Sequence, residues 1–338
     1  MKIALTADPF IPVPPRLYGG IERMIDILIR HYLKKGHQVS LFAHAASVTE
    51  AHLFPYATEG NSLADIFRNI RLIWKELQGS DYDVLHSFGR MAYMAPVMPQ
   101  KQLKIMSYQR EPTIGQIRRS QHLARKNSLF FTGCSDYISR QISPYAHCST
   151  IYNCAEKDKY RFTAQLNADA PLVFLGRIEP IKGVEQAIAL AQRTQKKLII
   201  AGNVPRGQEE YFRERIQPHF GPSVMYAGPV DDEQKNDLLN HALALLFPIQ
   251  WNEPFGIVMV EAMACGTPVI AFGRGAVPEV ISHGINGFYA DTIEELAGYI
   301  EQVGKLSRQT VRIMFENKFS AEVIGDEYLA LYKRLLPI

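Results

Sequence analysis

Short apolar runs alternate with amphipathic stretches along most of the chain. Residues 2–6 (KIALT) read as a first strand, followed by a loop rich in proline and glycine, DPFIPVPPRLYGG. Ile21, Ile25, Leu28 and Tyr32 then recur at helical spacing, with Gly36 just past the end as a cap. Further strands are expected at 39–43, 84–86, 104–108, 130–133 and 149–152, with a helix at 64–77. A second series begins after residue 160. Strands are expected at 172–175, 197–200, 224–227, 244–247 and 268–271, with helices at 184–193 and 232–241. Strands alternating with helices are the mark of βαβ units and a parallel sheet.

The polar stretch 158–170 reads as an unstructured linker between the two series. The pattern therefore predicts an α/β protein of two Rossmann-like, doubly wound domains facing across a cleft, where ligands bind by default. A last helix, 320–336, carries Tyr328, Leu331, Tyr332 and Leu335, which need a surface to cover, and the domain junction is the expected one. The division is residues 1–157 with about 320–338, and residues 158–319. At 338 residues, 47% of them hydrophobic, each half has apolar material for its own core.

Charge and cysteine usage narrow the classes. Lys and Arg number 37 against 34 Asp and Glu, a net of +3, too weak a balance for a dedicated nucleic-acid binder. Cys134, Cys148, Cys154 and Cys265 form no CxxC pair, so reduced core thiols in a cytoplasmic protein are expected rather than disulfides or zinc. The run MKIALTADPF is broken by Asp8 and Pro9, so no secretory signal is expected. The longest apolar candidate, 257–272, contains Glu261 and Gly266, so no transmembrane span is expected. The basic run 118–126 (RRSQHLARK) reads as a solvated helix face, with an anionic acceptor or the inner membrane surface as its second reading.

The densest chemical signal is FPIQWNEPFGIVMVEAMACGTPVIAFGRGAVPEVISHGINGF, residues 247–288. A helix is expected from about Gly256 to 264, leaving the amides of Phe255, Gly256 and Ile257 free to face an anion or a ring of hydroxyls. Glu261 lies eight positions beyond Glu253, about 12 Å if all of that were helix. This is too far for one shared metal and suits the two ends of a long ligand such as a sugar nucleotide. Glu261 is flanked by apolar residues, where an unpaired carboxylate is costly. In LVFLGRIEPIKGVEQA, Arg177 and Lys182 flank a strand-to-helix turn, an arrangement suited to a diphosphate. Tyr18-Gly19-Gly20 leads into the first helix and permits close approach of backbone to a ligand. No GxxxxGK[ST] or GxGxxG occurs, which removes the main support for nucleotide hydrolysis and dinucleotide redox chemistry. His86 and Arg110 stand at predicted strand ends, where open α/β sheets place ligands. Asp81 and Asp83 lack further acidic ligands, and no metal is expected.

Taken in order, YGGIER, YDVLHSF, LGRIEPIKG, AGPVDDEQKNDLL, NEPFGIVMVEAMACGTPVIA and VPEVISHGINGF resemble the retaining glycosyltransferases of family 4, which have the GT-B fold. The resemblance covers nearly the whole chain. It implies that Arg177 and Lys182 bind and stabilise the donor diphosphate, and that Glu253 holds the sugar hydroxyls beside the amides of Phe255, Gly256 and Ile257. It implies ribose contacts from Glu261, base contacts near Val230, and Gly20 close to the donor phosphate or the acceptor. His86 would lie by the transferred sugar, while Gly19 and Arg110 would face the acceptor. It also implies a last helix crossing back to the first domain, a nucleotide-sugar donor, UDP-glucose-like by family habit, and no metal cofactor. The acceptor, whether a small glycoside, a lipid or a polysaccharide end, is not read from these residues. A sugar-nucleotide epimerase and a non-catalytic sugar-nucleotide binder share the architecture and are the alternatives. The chain departs from the family at His86-Ser87-Phe88, where relatives show His-x-His, and at Asn153-Cys154 and Asn203.

Overall fold

Apolar runs too short for helices pair side by side, and the amphipathic stretches between them cross from strand to strand. In the computed structural model, which describes residues 1–15 and 19–336, they form two units: Met1–Asn153 with the segment from Ala321, and Cys154–Ser320. The first unit holds β1 (Lys2–Thr6), β2 (Gln38–Ala43), β3 (His52–Pro55), β4 (Val84–Ser87), β5 (Leu103–Tyr108), β6 (Leu129–Gly133) and β7 (Cys148–Thr150). All pairings are parallel, in the order β3-β2-β1-β4-β5-β6-β7. The helices between them are α1 (Gly20–Lys34), α2 (Leu63–Leu77), α3 (Ile114–Leu123) and α4 (Asp136–Ile142). A 3-10 segment, Met91–Val97, packs beneath α2. Ser62 and Asp65 start α2 with a reciprocal capping box.

The second unit holds β8 (Leu172–Leu175), β9 (Leu198–Ala201), β10 (Val224–Gly228), β11 (Ala244–Phe247), β12 (Val269–Phe272) and β13 (Gly287–Ala290), also parallel, in the order β10-β9-β8-β11-β12-β13. Its helices are α5 (Val184–Arg193), α6 (Glu209–Tyr211), α7 (Asp232–Asn240), α8 (Ile257–Ala264), α9 (Val277–Val280), α10 (Ile293–Val303) and α11 (Arg308–Lys318). The core fills with the inward residues of the strands, Leu172, Phe174, Ile200, Leu246 and Ile270, against Leu190 of α5 and Leu296 of α10. The last helix, α12 (Ala321–Leu335), belongs to the first unit and lies against α1. Tyr32 and Tyr332 join hydroxyls across that contact at 3.0 Å, and His31 meets Asp326 at 2.8 Å.

Two expectations are corrected. The stretch 158–170 is not a loose linker. Asn236 on α7 accepts from the Arg161 amide and donates to the Lys159 carbonyl, and Asn240 donates to Thr163. Arg308 at the start of α11 closes the arrangement from inside. Its buried guanidinium donates to the carbonyls of Thr163, Ala242, Asn240 and Cys265 and to the Thr267 hydroxyl, at 2.6–3.0 Å. One side chain thus satisfies carbonyls at the ends of both α7 and α8, where helices leave such groups unpaired. Burial holds Arg308 below its ordinary range, at about 10, so it still carries its charge at neutral pH.

His86, expected beside the transferred sugar, is fully buried instead. Its Nδ1 lies 2.5 Å from the Tyr332 hydroxyl and its Nε2 2.6 Å from the Ser107 hydroxyl. Ser107 continues to Thr132 and to Tyr328 of α12. Phe88, in place of a second histidine, packs on the imidazole with ring centroids 4.2 Å apart. With both nitrogens engaged and no solvent, His86 ties α12 to the centre of the sheet. Desolvation pulls its pKa from 6.5 down to about 3.

Both features predict measurable costs. Arg308→Met strands buried acceptors and should lower unfolding stability in urea by about 3 kcal/mol; a loss within about 0.5 kcal/mol would show that the carbonyls are satisfied another way. Because the folded pKa of His86 lies below the unfolded one, its contribution is complete above pH 6.5 and drains as pH falls towards 3. The slope is about 1.4 kcal/mol per pH unit. Urea midpoints of His86→Gln should therefore fall less steeply between pH 7 and 4 than those of the parent, and equal slopes would contradict this placement.

Candidate functional site

In the second unit the strand order reverses between β8 and β11, which lie side by side although separated in sequence by β9 and β10. Loops leaving the carboxyl ends of such neighbours diverge to opposite faces and open a crevice between them. The loop after β8 carries Arg177 and Lys182, and the loop after β11 carries Trp251 and Glu253. The two loops touch. The Gln250 amide donates to the Ile181 carbonyl at 2.8 Å. Gly183, at φ +78°, comes so close to Pro248 that a Cβ would stand 1.8 Å from its carbonyl oxygen. Only glycine suits that backbone and that space.

Lys182 Nζ donates to Glu253 Oε2 at 2.7 Å, and Trp251 Nε1 donates to the same oxygen at 3.0 Å. The ammonium also lies 5.1 Å from the centroid of the Trp251 ring. Glu253 is held from behind by the loop after β12: the Ala276 amide donates to its carbonyl at 2.9 Å. In that loop Gly275, at φ +58°, passes so near that a Cβ would sit 2.3 Å from the Glu253 carbonyl oxygen. Arg177 forms an ion pair with Glu179 at 2.7 Å. The sequence placed Lys182 and Glu253 in separate motifs, and the sheet order joins them.

The next segment forms the start of α8. Gly256 is its N-cap, Ile257 its first helical residue, and Phe255 is buried against Phe319 at 6.0 Å between centroids. The first-turn amides of this helix have no intrahelical acceptor, apart from Met259, which bonds back to the Gly256 carbonyl. Val230 follows β10, half-buried, at the carboxyl edge of the same sheet, just before the Asp231–Gln234 capping box of α7.

Glu261 lies one turn deeper and is buried. Its Oε1 accepts from Lys235 Nζ at 2.6 Å and from the Tyr160 hydroxyl at 2.7 Å. The carboxylate flanked by apolar neighbours is thus a paired one, which removes the cost of burying it alone. Tyr160, Lys235 and Trp251 were missed in the sequence. Lys235 stands in DDEQKNDLL and Trp251 two residues before Glu253, but nothing local says that either side chain turns onto a carboxylate.

The remaining candidates lie in the first unit: Gly19 and Gly20 come after β1, which borders β4 at that sheet's own reversal point, and Arg110 comes after β5. Gly19 is the N-cap of α1 and Gly20 its first residue. Tyr18 lies outside the described residues. Arg110 is exposed at the end of β5, and its charge, with that of Arg90, acts on Asp8. Burial nonetheless raises the Asp8 carboxyl above its ordinary range, and it does the same to Glu22 in the first turn of α1. Arg90 Nε stands 3.8 Å from Asp8 Oδ1, and Arg90 also donates to Asn61. Asp8, Glu22 and Arg90 were not singled out in the sequence, where each reads as an ordinary loop or helix charge.

The comparisons with known proteins agree with this architecture. The model for glycosyl transferases group 1 matches residues 156–318, and that for glycosyltransferase family 4 matches residues 18–108. An uncharacterized glycosyltransferase of Methanocaldococcus jannaschii is 33% identical over 53% of this chain, which spans 48% of that protein's length. Spore coat protein SA of Bacillus subtilis is 24% identical over 99% of this chain and 100% of its own. Among solved structures, the Anabaena protein HepE in complex with UDP and glucose superposes with a TM-score of 0.74 at 20% identity, covering 98% of this chain and 99% of that one. The second unit thus matches the model for glycosyl transferases group 1, a large part of the first matches that for glycosyltransferase family 4, and the chain has the GT-B fold.

Proposed function

We propose that the protein is a retaining, metal-independent glycosyltransferase that moves a hexose from a UDP-glucose-like donor to an acceptor hydroxyl. The observation that carries this reading is the meeting of Lys182 and Glu253 where β8 and β11 lie adjacent. Breaking a sugar–diphosphate bond builds negative charge on the leaving phosphate. Lys182 and Arg177, in the loop after β8, would stand against that charge and lower the barrier, and donors of this kind are worth about 3–4 kcal/mol each. Glu253, held by Trp251 and the Ala276 amide, would accept hydrogen bonds from the sugar hydroxyls. Donor binding would then exchange the Lys182–Glu253 pair for contacts to phosphate and sugar. Glu261, oriented by Lys235 and Tyr160, would take the ribose, and the backbone near Val230 the base. The amides of Gly256 and Ile257 at the start of α8 would add donors towards the sugar or phosphate. The UDP and glucose bound by the Anabaena protein of the same fold support the choice of donor.

The acceptor would be received by the first unit, where Arg110, Arg90, Asp8 and Gly19 gather at the carboxyl ends of β1, β4 and β5. Incubation with UDP-glucose should release UDP slowly even without acceptor, since water can take the sugar. Arg177→Ala and Lys182→Ala should each lower that release by at least about tenfold. Release at the parent rate in both variants would sink the diphosphate assignment. The anomer of glucose first formed, read by proton NMR before it mutarotates, should be α, and β would overturn retention.

A further inference from the structure

The apolar arc of α2 is wider than the fold covers. Asn69, Ile73 and Leu77 point into the first unit, and Asn69 is engaged by the Thr58 backbone. Adjacent on the helix surface, Leu63, Phe67 and Trp74 fall within about 40° of arc and face outward, with 85%, 74% and 43% of their surfaces exposed. The next positions round the helix are Arg71, Lys75 and Arg68, all exposed. The acidic residues of the helix lie off this strip: Asp65 is taken up in the N-terminal capping box, with a long 3.9 Å ion pair to the exposed Arg68, and Glu76 is half-buried on the far side. Large apolar side chains exposed to this degree on one helix are unusual on a soluble surface, where exposed apolar residues are normally scattered singly.

We propose that this face of α2 docks on an anionic lipid surface. Leu63, Phe67 and Trp74 would enter the boundary between headgroups and acyl chains, while Arg68, Arg71 and Lys75 neutralise lipid phosphates beside them. An apolar stripe flanked by cations is what an interfacial helix requires. No helix among the described residues is long and apolar enough to cross a membrane, so this attachment is peripheral. A second copy of the chain is the poorer occupant, because a two-fold contact through the stripe would set the three cations against their own copies. Helix α3 repeats the arrangement on a smaller scale. It packs against the same Met91–Val97 segment and exposes Leu123 beside Arg119 and His122.

Co-sedimentation of the intact protein with vesicles tests the proposal. Vesicles of phosphatidylcholine with about one-third phosphatidylglycerol should bind the protein, and vesicles of phosphatidylcholine alone should bind it at least about tenfold more weakly. Phe67→Ser with Trp74→Ser, and separately Arg68→Glu with Arg71→Glu, should each reduce binding to anionic vesicles at least about tenfold, with each variant keeping a cooperative thermal transition. Trp emission should shift to the blue on vesicle addition in the parent and not in Trp74→Phe. Absence of binding by the parent, parent-like binding by both double variants, or equal binding to neutral vesicles would overturn the proposal. So would a dimer in solution that Phe67→Ser disperses, since the stripe would then be covered by a second copy.

Discussion

The adjacency of β8 and β11 is the constraint on which the candidate chemistry depends. Residues 182 and 253 are separated by three crossovers, through α5, α6 and α7, and only a sheet that reverses its order there brings their loops together. The approach is then tightened by backbone rather than by side chains. Gly183 rests against Pro248, Gly275 against Glu253, and two interloop amide bonds lock the register. A lysine and a glutamate held at 2.7 Å by such a frame owe their positions to the fold itself.

Around that point the fold manages buried charge with consistent economy. Glu261 is neutralised by Lys235 and steadied by Tyr160; Arg308 spreads its charge over five acceptors that the ends of α7 and α8 and the incoming 158–170 segment present. In the first unit His86 stays neutral, one ring nitrogen donating and the other accepting, between the hydroxyls of Ser107 on β5 and Tyr332 on α12. These groups are costly to bury singly, so each one fixes the relative position of the elements that satisfy it. The contrast is the outer face of α2, where Leu63, Phe67 and Trp74 stand exposed and Arg68 has only a long ion pair with Asp65, at 3.9 Å.

Much of the fold was legible in the sequence because buried parallel strands are short and continuously apolar, as in LVFL, ALLF and VIAF. Elements that break this rule were missed. β3 is an edge strand with His52 and Pro55 exposed at its ends, and β13 (GFYA), as short as those three, opens on a glycine and is only weakly apolar. The 158–170 segment looked like a linker because it is polar, and the groups that hold it, such as Asn236, Asn240 and Arg308, come from distant parts of the chain. Glu253 and the Arg177–Lys182 loop were legible as motifs, since their glycines and prolines mark the turns they occupy. The environment of His86 was not, because its partners Ser107 and Tyr332 lie 21 and 246 residues away and a strand end does not reveal what packs over it. The partners of Glu261 were hidden for the same reason, with Tyr160 located 101 residues before it.

Titration calorimetry of UDP into the intact chain tests the donor site most directly, because it needs neither the acceptor nor turnover. A single saturable site should appear in the parent, and Lys182→Met should weaken it by at least about tenfold, or about 1.4 kcal/mol, while Trp74→Ser leaves it unchanged. No binding by the parent, or equal affinity in Lys182→Met, would contradict a nucleoside-diphosphate site at the carboxyl ends of β8 and β11.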